Sequence, residues 1–440
     1  MDPVVVGIIS VLLIVLLIYC GSYVAITLSI VSFAGVWLLR GDVTIAMRMM
    51  TLAVTDSIKS YDFASIPTFV MMGFIVGKSG IGADIYEVFH HLFRRVRGGL
   101  GIATVAANAA FAAVTGSSIA SASVFTRISV PEMIRYGYGQ RFAVGVVAGS
   151  SVLGMLIPPS VMLIIYAFVA EQSVGDMFLA GIVPGLLLSL AFIVAILAMT
   201  VFTPGFIGKG AFATKIAADE PRMPVRSMIN KLAPLALLIL IVLGGIYSGV
   251  VTAAEAGAAG AFIAFIIASL KGRMSLTKLK EVLIDTGHVT AAILFLIMSA
   301  TMYSRMLGIA GLPSLFSNWL SHADLDFTMM MTLYVILLVF LGTIIDTSSI
   351  ILICAPLFLA TIETMGLDLV WFGIITVVGA EIGLLTPPFG ISCFVIKQTL
   401  ERRDISLNDI FIGAAPFALI MLGVLVLLIV FPQLSIGILR

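Results

Sequence analysis

The chain has 440 residues, 61% of them hydrophobic and only 11% charged, with a mean hydropathy of +1.19. No soluble globule presents that composition to water, so the chain reads as an integral membrane protein. Its formal net charge of +1 says nothing about partners, because in a membrane protein the informative quantity is how basic residues are shared among loops.

Met1-Asp2-Pro3 leads into an apolar run ending at Ile18 that has no basic n-region, and Tyr19 to Ser22 does not resemble a small-residue cleavage site. The run is expected to be a retained first span. Segments apolar over a length suited to about 30 Å of hydrocarbon occur at 4–18, 22–39, 63–76, 142–170, 177–202, 232–247, 253–270, 286–306, 371–397 and 410–431, which gives ten crossings. Two further stretches, 99–131 and 327–362, are each about two short helices long and carry a Ser-rich motif near the middle. Such a break at membrane depth predicts a re-entrant helical hairpin, tolerated only where protein or a water-filled cavity surrounds it. Just before the first of them, 84–97 is basic and amphipathic and suits the cytoplasmic interface.

Loop charges test the count. With both termini outside, the inner loops hold 19 of the 24 basic residues, and the outside keeps Arg40, Arg48, Lys59, Arg305 and Arg440. That is the positive-inside bias, and counting either hairpin as one crossing would scatter it.

The chain also repeats itself. Thr115-Gly116-Ser117-Ser118-Ile119 is followed by Gly154-Met155-Leu156-Ile157-Pro158-Pro159, and Asp346-Thr347-Ser348-Ser349-Ile350 by Gly383-Leu384-Leu385-Thr386-Pro387-Pro388. The spacing from second Ser to first Pro is 40 residues in one copy and 38 in the other. Five crossings plus one hairpin per half give the second half the opposite orientation to the first, as in an alternating-access carrier. The expected organisation is a first inverted repeat at 1–202, with its hairpin at 99–131 and a broken helix at 142–170. A cytoplasmic linker rich in Pro and Gly follows at 203–231. A second repeat spans 232–440, with its hairpin at 327–362 and a broken helix at 371–397.

Where two half-helices stop inside the membrane, carbonyls are orphaned at one end and amides at the other. Carbonyls with Ser or Thr hydroxyls offer the hard oxygen ligands a small cation needs, and the amide end suits a carboxylate. Paired prolines interrupt the partner helix, because proline lacks an amide donor and clashes with the preceding turn. Glycine and proline also permit kinks, and hydroxyls often bond their own backbone. The same set twice, at matched spacing in opposed halves, favours a cation site in each.

Asp346 is the sole acid in either tip, aligned with Thr115 of the first copy. A buried acid at that depth needs a partner. It either binds a cation or caps the second half-helix, and the cap or a supporting role is favoured because symmetric sites would demand an acid in both halves. Glu381 and Glu255 are each either hydrogen-bonding structural acids or coupling residues. The four histidines and three cysteines show no metal-ligand spacing, and neither a Gly-x-Ser-x-Gly elbow nor a His-Glu-x-x-His pair occurs, so an enzyme is not expected. Polar residues concentrated at two breaks, without a continuous polar stripe, speak against a channel.

Ile66-Pro67-Thr68-Phe69-Val70-Met71-Met72-Gly73, Arg97-Gly98-Gly99-Leu100, Thr115 to Ser118, Ile157-Pro158-Pro159-Ser160, Leu179 to Gly185 and Glu381 to Pro388 together resemble the large membrane subunit of tripartite ATP-independent periplasmic (TRAP) transporters over about residues 4 to 431. The resemblance implies an all-α bacterial or archaeal inner-membrane protein working by an elevator motion between scaffold and transport domains. It implies Na+-driven uptake of an organic acid, with a periplasmic substrate-binding protein and a separate small four-helix membrane subunit as partners and lipid around them. Carried over, Ser117, Ser118 and the backbone near Gly154 and Pro158 would form one Na+ site. Thr347, Ser348, Ser349 and the backbone near Gly383 and Thr386 would form the other. Substrate would lie between the tips, beside Thr115, Gly116, Asp346, Pro159, Pro387 and Pro388. A self-sufficient Na+-coupled anion symporter of related fold is the alternative.

Overall fold

The computed structural model of the chain describes residues 2–59, 61–208, 223–315, 327–400, 402 and 404–439, and every regular element among them is a helix. The linker expected at 203–231 is described at its two ends, and its residues 209–222 lie outside the described set.

α1 (Pro3–Tyr19) opens on Asp2, whose carboxylate accepts from the Val4 amide at 3.0 Å, with proline at the first helical position where its missing N–H is no loss. α2 (Val24–Arg40) ends at Gly41 in the left-handed conformation. α3 (Val43–Lys59) has no counterpart among the expected segments. Arg48, Asp56 and Lys59 keep it from being an apolar run, yet Ala46, Ala53 and Ser57, seven and four residues apart, share a buried face. α4 (Ser65–Lys78) and α5 (Ile81–Phe93) meet at a bend of 63°. That bend lets the amphipathic α5 leave the direction of α4, as expected of an interfacial arm.

α6 (Gly99–Thr115) and α7 (Ser118–Arg135) form the first hairpin. α8 (Gln140–Ser151), the single turn α9 (Leu153–Leu156) and α10 (Val161–Val169) form a helix broken by 45°, followed by α11 (Val174–Phe202) and the short α12 (Pro204–Ile207). The second half supplies α13 (Val225–Tyr247), α14 (Ala253–Leu270) and α15 (Leu276–Ala310). Its hairpin is α16 (Phe327–Gly342) with α17 (Thr347–Thr364), its broken helix α18 (Leu369–Gly383) with α19 (Ile391–Thr399), and α20 (Leu407–Val430) and α21 (Gln433–Ile436) complete the chain.

Both hairpins return to the face they leave. Gly98 lies against Ile196 and Thr200, while Gly139, just past α7, lies against Phe206 and Ile207, so both ends of the first hairpin meet the same end of α11. In the second, Phe327 stacks on Trp371 at 6.1 Å, so the start of α16 sits beside the residues that follow α17. Among the described residues, six helices are long and apolar enough to cross a membrane, up to eight with the bent pairs. Five of the six coincide with expected crossings, and Thr347–Thr364 is the hairpin arm. The remaining expected crossings correspond to the two bent pairs and to the shorter apolar helices Pro3–Tyr19, Val24–Arg40 and Leu369–Gly383. α15, at 35 residues, is about 50 Å long and exceeds the expected 286–306 segment. Its first turns carry Glu281 and Asp285, which bind Lys78 at 3.1 and 2.7 Å.

Long-range polar contacts agree with the crossing count. Lys78 with Glu281 and Asp285, Asp84 with Lys271 and Arg273, Lys231 with Glu87, and Arg141 with Asp409 each join segments that the count places on one side. Arg305 with Asp56 does the same on the other side, at 2.5 Å.

Packing between halves is reciprocal. α2 packs on α15 and α4 on α14; α8 packs on α20 and α11 on α18; α10 packs on α17 and α7 on α19. Each pair is its companion with the two halves exchanged. Glycine allows the tightest of these crossings: a Cβ on Gly145 of α8 would stand 2.1 Å from the Gly413 carbonyl oxygen of α20.

Candidate functional site

Each tip is built from a helix end, a cap and the break of the neighbouring helix. In the first half, Gly116 ends α6 with φ +59°, and Ser117 caps α7 by accepting from the Ala120 amide at 3.3 Å. Gly116 faces the other break directly, since a Cβ there would lie 2.6 Å from the Pro159 carbonyl oxygen. A Cβ on Gly154 would lie 2.7 Å from the Ser117 carbonyl. The tip and the Gly-Pro-Pro break therefore touch through backbone, which only glycine at both places permits. Thr115 donates to the Phe111 carbonyl at 3.0 Å and Ser160 caps α10, donating to the Met155 carbonyl. Pro158 and Pro159 are buried, and the bond between them is cis.

In the second half Asp346 is the cap of α17. Its carboxylate accepts from the Ser349 amide at 3.1 Å, from the Ser349 hydroxyl at 2.5 Å and from the Ser348 hydroxyl. The capping role favoured from sequence is what the geometry has. Thr347 donates to Glu381 Oε1 at 2.7 Å, joining tip to broken helix by side chains. Gly383 meets Gly342 at the end of α16, where a Cβ on Gly383 would stand 2.3 Å from the Gly342 Cα. Thr386 donates its hydroxyl to the Ile382 carbonyl at 2.8 Å, so it follows the ordinary back-bonding habit. Pro387 and Pro388 are joined by a cis bond like the first pair, but both are exposed.

The donor set suits a small hard cation. It consists of hydroxyl and backbone carbonyl oxygens, and Ser118 Oγ is buried with no protein hydrogen-bond partner. Ser349 and Thr347 donate hydrogen bonds to carboxylates, which turns their lone pairs outward as acceptors. A cavity of about 600 Å³ borders Asp346, Ser348 and Ser349 and is walled opposite by Ser22, Tyr23, Ala292 and Leu296. That volume is in the range of small-molecule sites. Residues of the first tip do not line it.

Glu255, left open from sequence, is the third residue of a capping box with Thr252, exposed at the start of α14, and has a structural role there. The Thr347 to Glu381 bond is new. So are two polar ties, one from each hairpin to its broken helix, Asn108 to Ser150 at 2.6 Å and Tyr334 to Thr376 at 2.8 Å, both 42 residues apart. That common interval, close to the 40 and 38 of the motifs, is the signal in the sequence that points to them.

A family model for the tripartite ATP-independent periplasmic transporter, DctM component, matches residues 11–434. The chain is 33% identical over 393 residues to the C4-dicarboxylate TRAP transporter large permease of Pseudomonas aeruginosa, covering 89% of each. It is 29% identical over 420 residues to the sialic acid TRAP transporter large permease of Vibrio cholerae, covering 95% of each. In fold it is similar to the YdaH transporter of Alcanivorax borkumensis, with a TM-score of 0.63 at 14% identity, over 89% of this chain and 90% of that one. Family match, all-helical architecture and paired hairpin tips agree that this chain belongs to the DctM family of TRAP transporter large permeases, multi-pass membrane proteins and not enzymes.

Proposed function

We propose that the chain imports an organic acid by Na+ symport, with each hairpin tip and its Pro-Pro break forming one Na+ site. The carrying observation is the buried, unpartnered Ser118 hydroxyl beside a tip whose carbonyls are pressed against Gly154. A buried hydroxyl without a partner costs free energy that a bound cation recovers. Ser117, Ser118, Gly154 and Pro158 would hold one ion; Thr347, Ser348, Ser349, Gly383 and Thr386 the other. Bound Na+ would supply positive charge at the tips, and the transmembrane Na+ gradient would drive uptake. The chain's own residues fix the oxygens that receive it, and Asp346 holds Ser348 and Ser349 in place.

Reciprocal packing supports two inverted repeats, 1–202 and 232–440, with an elevator motion of hairpins and broken helices along the scaffold. Positive-inside counting puts both termini in the periplasm, and the cavity at the second tip then borders the cytoplasmic loop at Ser22 and Tyr23. A periplasmic binding protein would deliver the substrate and a small four-helix subunit would complete the scaffold. Names of relatives, C4-dicarboxylate and sialic acid permeases, support a carboxylate as cargo.

The test is reconstitution of the full chain with its small subunit in vesicles holding a Na+ gradient, with labelled organic acids and with or without binding protein. Uptake that needs both Na+ and the binding protein is expected. Robust flux without the binding protein would favour the self-sufficient symporter, and flux indifferent to Na+ would remove the coupling ion.

A further inference from the structure

The two halves differ at one matched pair of positions. Aligning the motifs on their serines and prolines sets Thr347 against Gly116 and Glu381 against Val152. In the second half these positions form the Thr347 Oγ1 to Glu381 Oε1 hydrogen bond; in the first, both partners lack a polar side chain. The surroundings explain how each half tolerates its version. Gly116 has no room for a side chain, because the Pro159 carbonyl closes on it, whereas the Thr347 side chain is accommodated and bonds to Glu381 of α18.

Glu381 is 1% exposed. One oxygen accepts the hydrogen bond from the Thr347 hydroxyl, and the other, Oε2, is buried without a protein partner. Among the described residues no lysine or arginine pairs with it. A carboxyl in apolar surroundings with one oxygen unsatisfied is costly, and a packed apolar residue such as the valine of the first half would be the cheaper choice for stability alone. Its geometry does one definite thing. By accepting the Thr347 hydrogen bond it fixes that hydroxyl so that its lone pairs face away from α18, and it sets acceptor character behind the tip.

We infer that Glu381 is a positioning residue for the second cation site, acting through the Thr347 hydroxyl, and that this pair makes the second site bind Na+ differently from the first. The inference rests on the Na+-coupled function proposed above. It assigns the asymmetry of the halves to a hydrogen bond absent from one of them.

The test is the melting temperature of the purified full chain as NaCl replaces choline chloride at constant ionic strength, because a ligand that binds only the folded state stabilises it by RT ln(1 + [Na+]/Kd), so a fit of the rise yields the dissociation constant. A Ser118→Ala background weakens the first site, so the remaining Na+-dependent rise reports the second. Glu381→Val and Thr347→Val are each expected to raise that dissociation constant about tenfold, the loss of one buried hydrogen bond. Together they should move it no further than either alone. Glu381→Gln keeps an oxygen acceptor and should stay within about threefold. Thr347→Val leaves the carboxyl in place and decides the matter where Glu381→Val does not fold. An unchanged dissociation constant in Thr347→Val, or a Gln variant as impaired as Val, would overturn the positioning role while leaving Na+ coupling intact. No Na+-specific rise in the unmodified chain would overturn the coupling itself, and this inference with it.

Discussion

Gly342 and Gly383 meet backbone to backbone: a Cβ on Gly383 would stand 2.3 Å from the Gly342 Cα, and one on Gly342 would stand 2.8 Å from the Gly383 Cα. The end of α16 is thereby pressed onto the end of α18, which puts the second tip beside its break. No rotamer relieves a Cβ clash with backbone, so Gly383→Ala is expected to cost about 1–3 kcal/mol of stability. It should also reduce uptake more than it reduces the amount of folded protein, measured by fluorescence-detected size exclusion against transport per folded molecule.

The two serines should respond differently to removal of the hydroxyl. Ser118 Oγ has no protein partner, so Ser118→Ala in Na+-free buffer should leave stability unchanged or raise it by up to about 1 kcal/mol. Ser349 donates to Asp346 at 2.5 Å, and Ser349→Ala should lower stability by about 1–2 kcal/mol. Both should raise the Na+ concentration for half-maximal uptake several-fold. Unchanged Na+ dependence in both would make the hydroxyls structural.

Labelling decides orientation. In a Cys20→Ser background, Ser173→Cys between α10 and α11 should react with an impermeant thiol reagent applied outside intact cells. Ser275→Cys at the start of α15 should react only after the membrane is opened. The reverse pattern would turn the whole chain over, since every long-range ion pair ties its segments to a common side.

Asp84 anchors the amphipathic arm α5 to the loop after α14, through Arg273 at 2.7 and 3.1 Å and Lys271 at 3.0 Å. Burial pushes its carboxyl up, but the hydrogen bonds from Arg273 and Lys271 outweigh that and hold it below the ordinary carboxylate range. A depressed folded-state pKa gives stability that is present above the unfolded value of about 4 and is lost as pH falls through the folded one. Asp84→Asn should therefore cost roughly 1–2 kcal/mol at neutral pH, discounted for the partial exposure of both basic partners. The gap between variant and parent melting temperatures should close as the pH drops below about 4. A gap independent of pH would mean that the carboxylate charge does not hold the arm.

The sequence by itself determined the apolar helices, the two Ser-rich turns between helices and the two Gly-Pro-Pro breaks. Hydrocarbon thickness fixes span length, and backbone polar groups inside a bilayer leave few alternatives to a helix, so these features are written locally in apolar runs, Gly-Pro-Pro and Ser-Ser. It also predicted which loops share a side, because translocation depends on local charge, and the long-range ion pairs among the described residues join loops predicted to lie together. α3 was illegible for the converse reason: its buried face is made of Ala46, Ala53 and Ser57 among charged residues, too weak a pattern without the α15 surface it packs on.

Only the tertiary structure decided which acids serve the tips. Asp346 reaches forward three residues and was open to a local argument as a cap, whereas Glu381 lies 34 residues from Thr347 and meets it only because Gly342 and Gly383 let α16 and α18 touch. The same holds for the unequal prolines, alike in sequence but buried in one half and exposed in the other. Burial is a property of what packs on a residue, and no local pattern carries it.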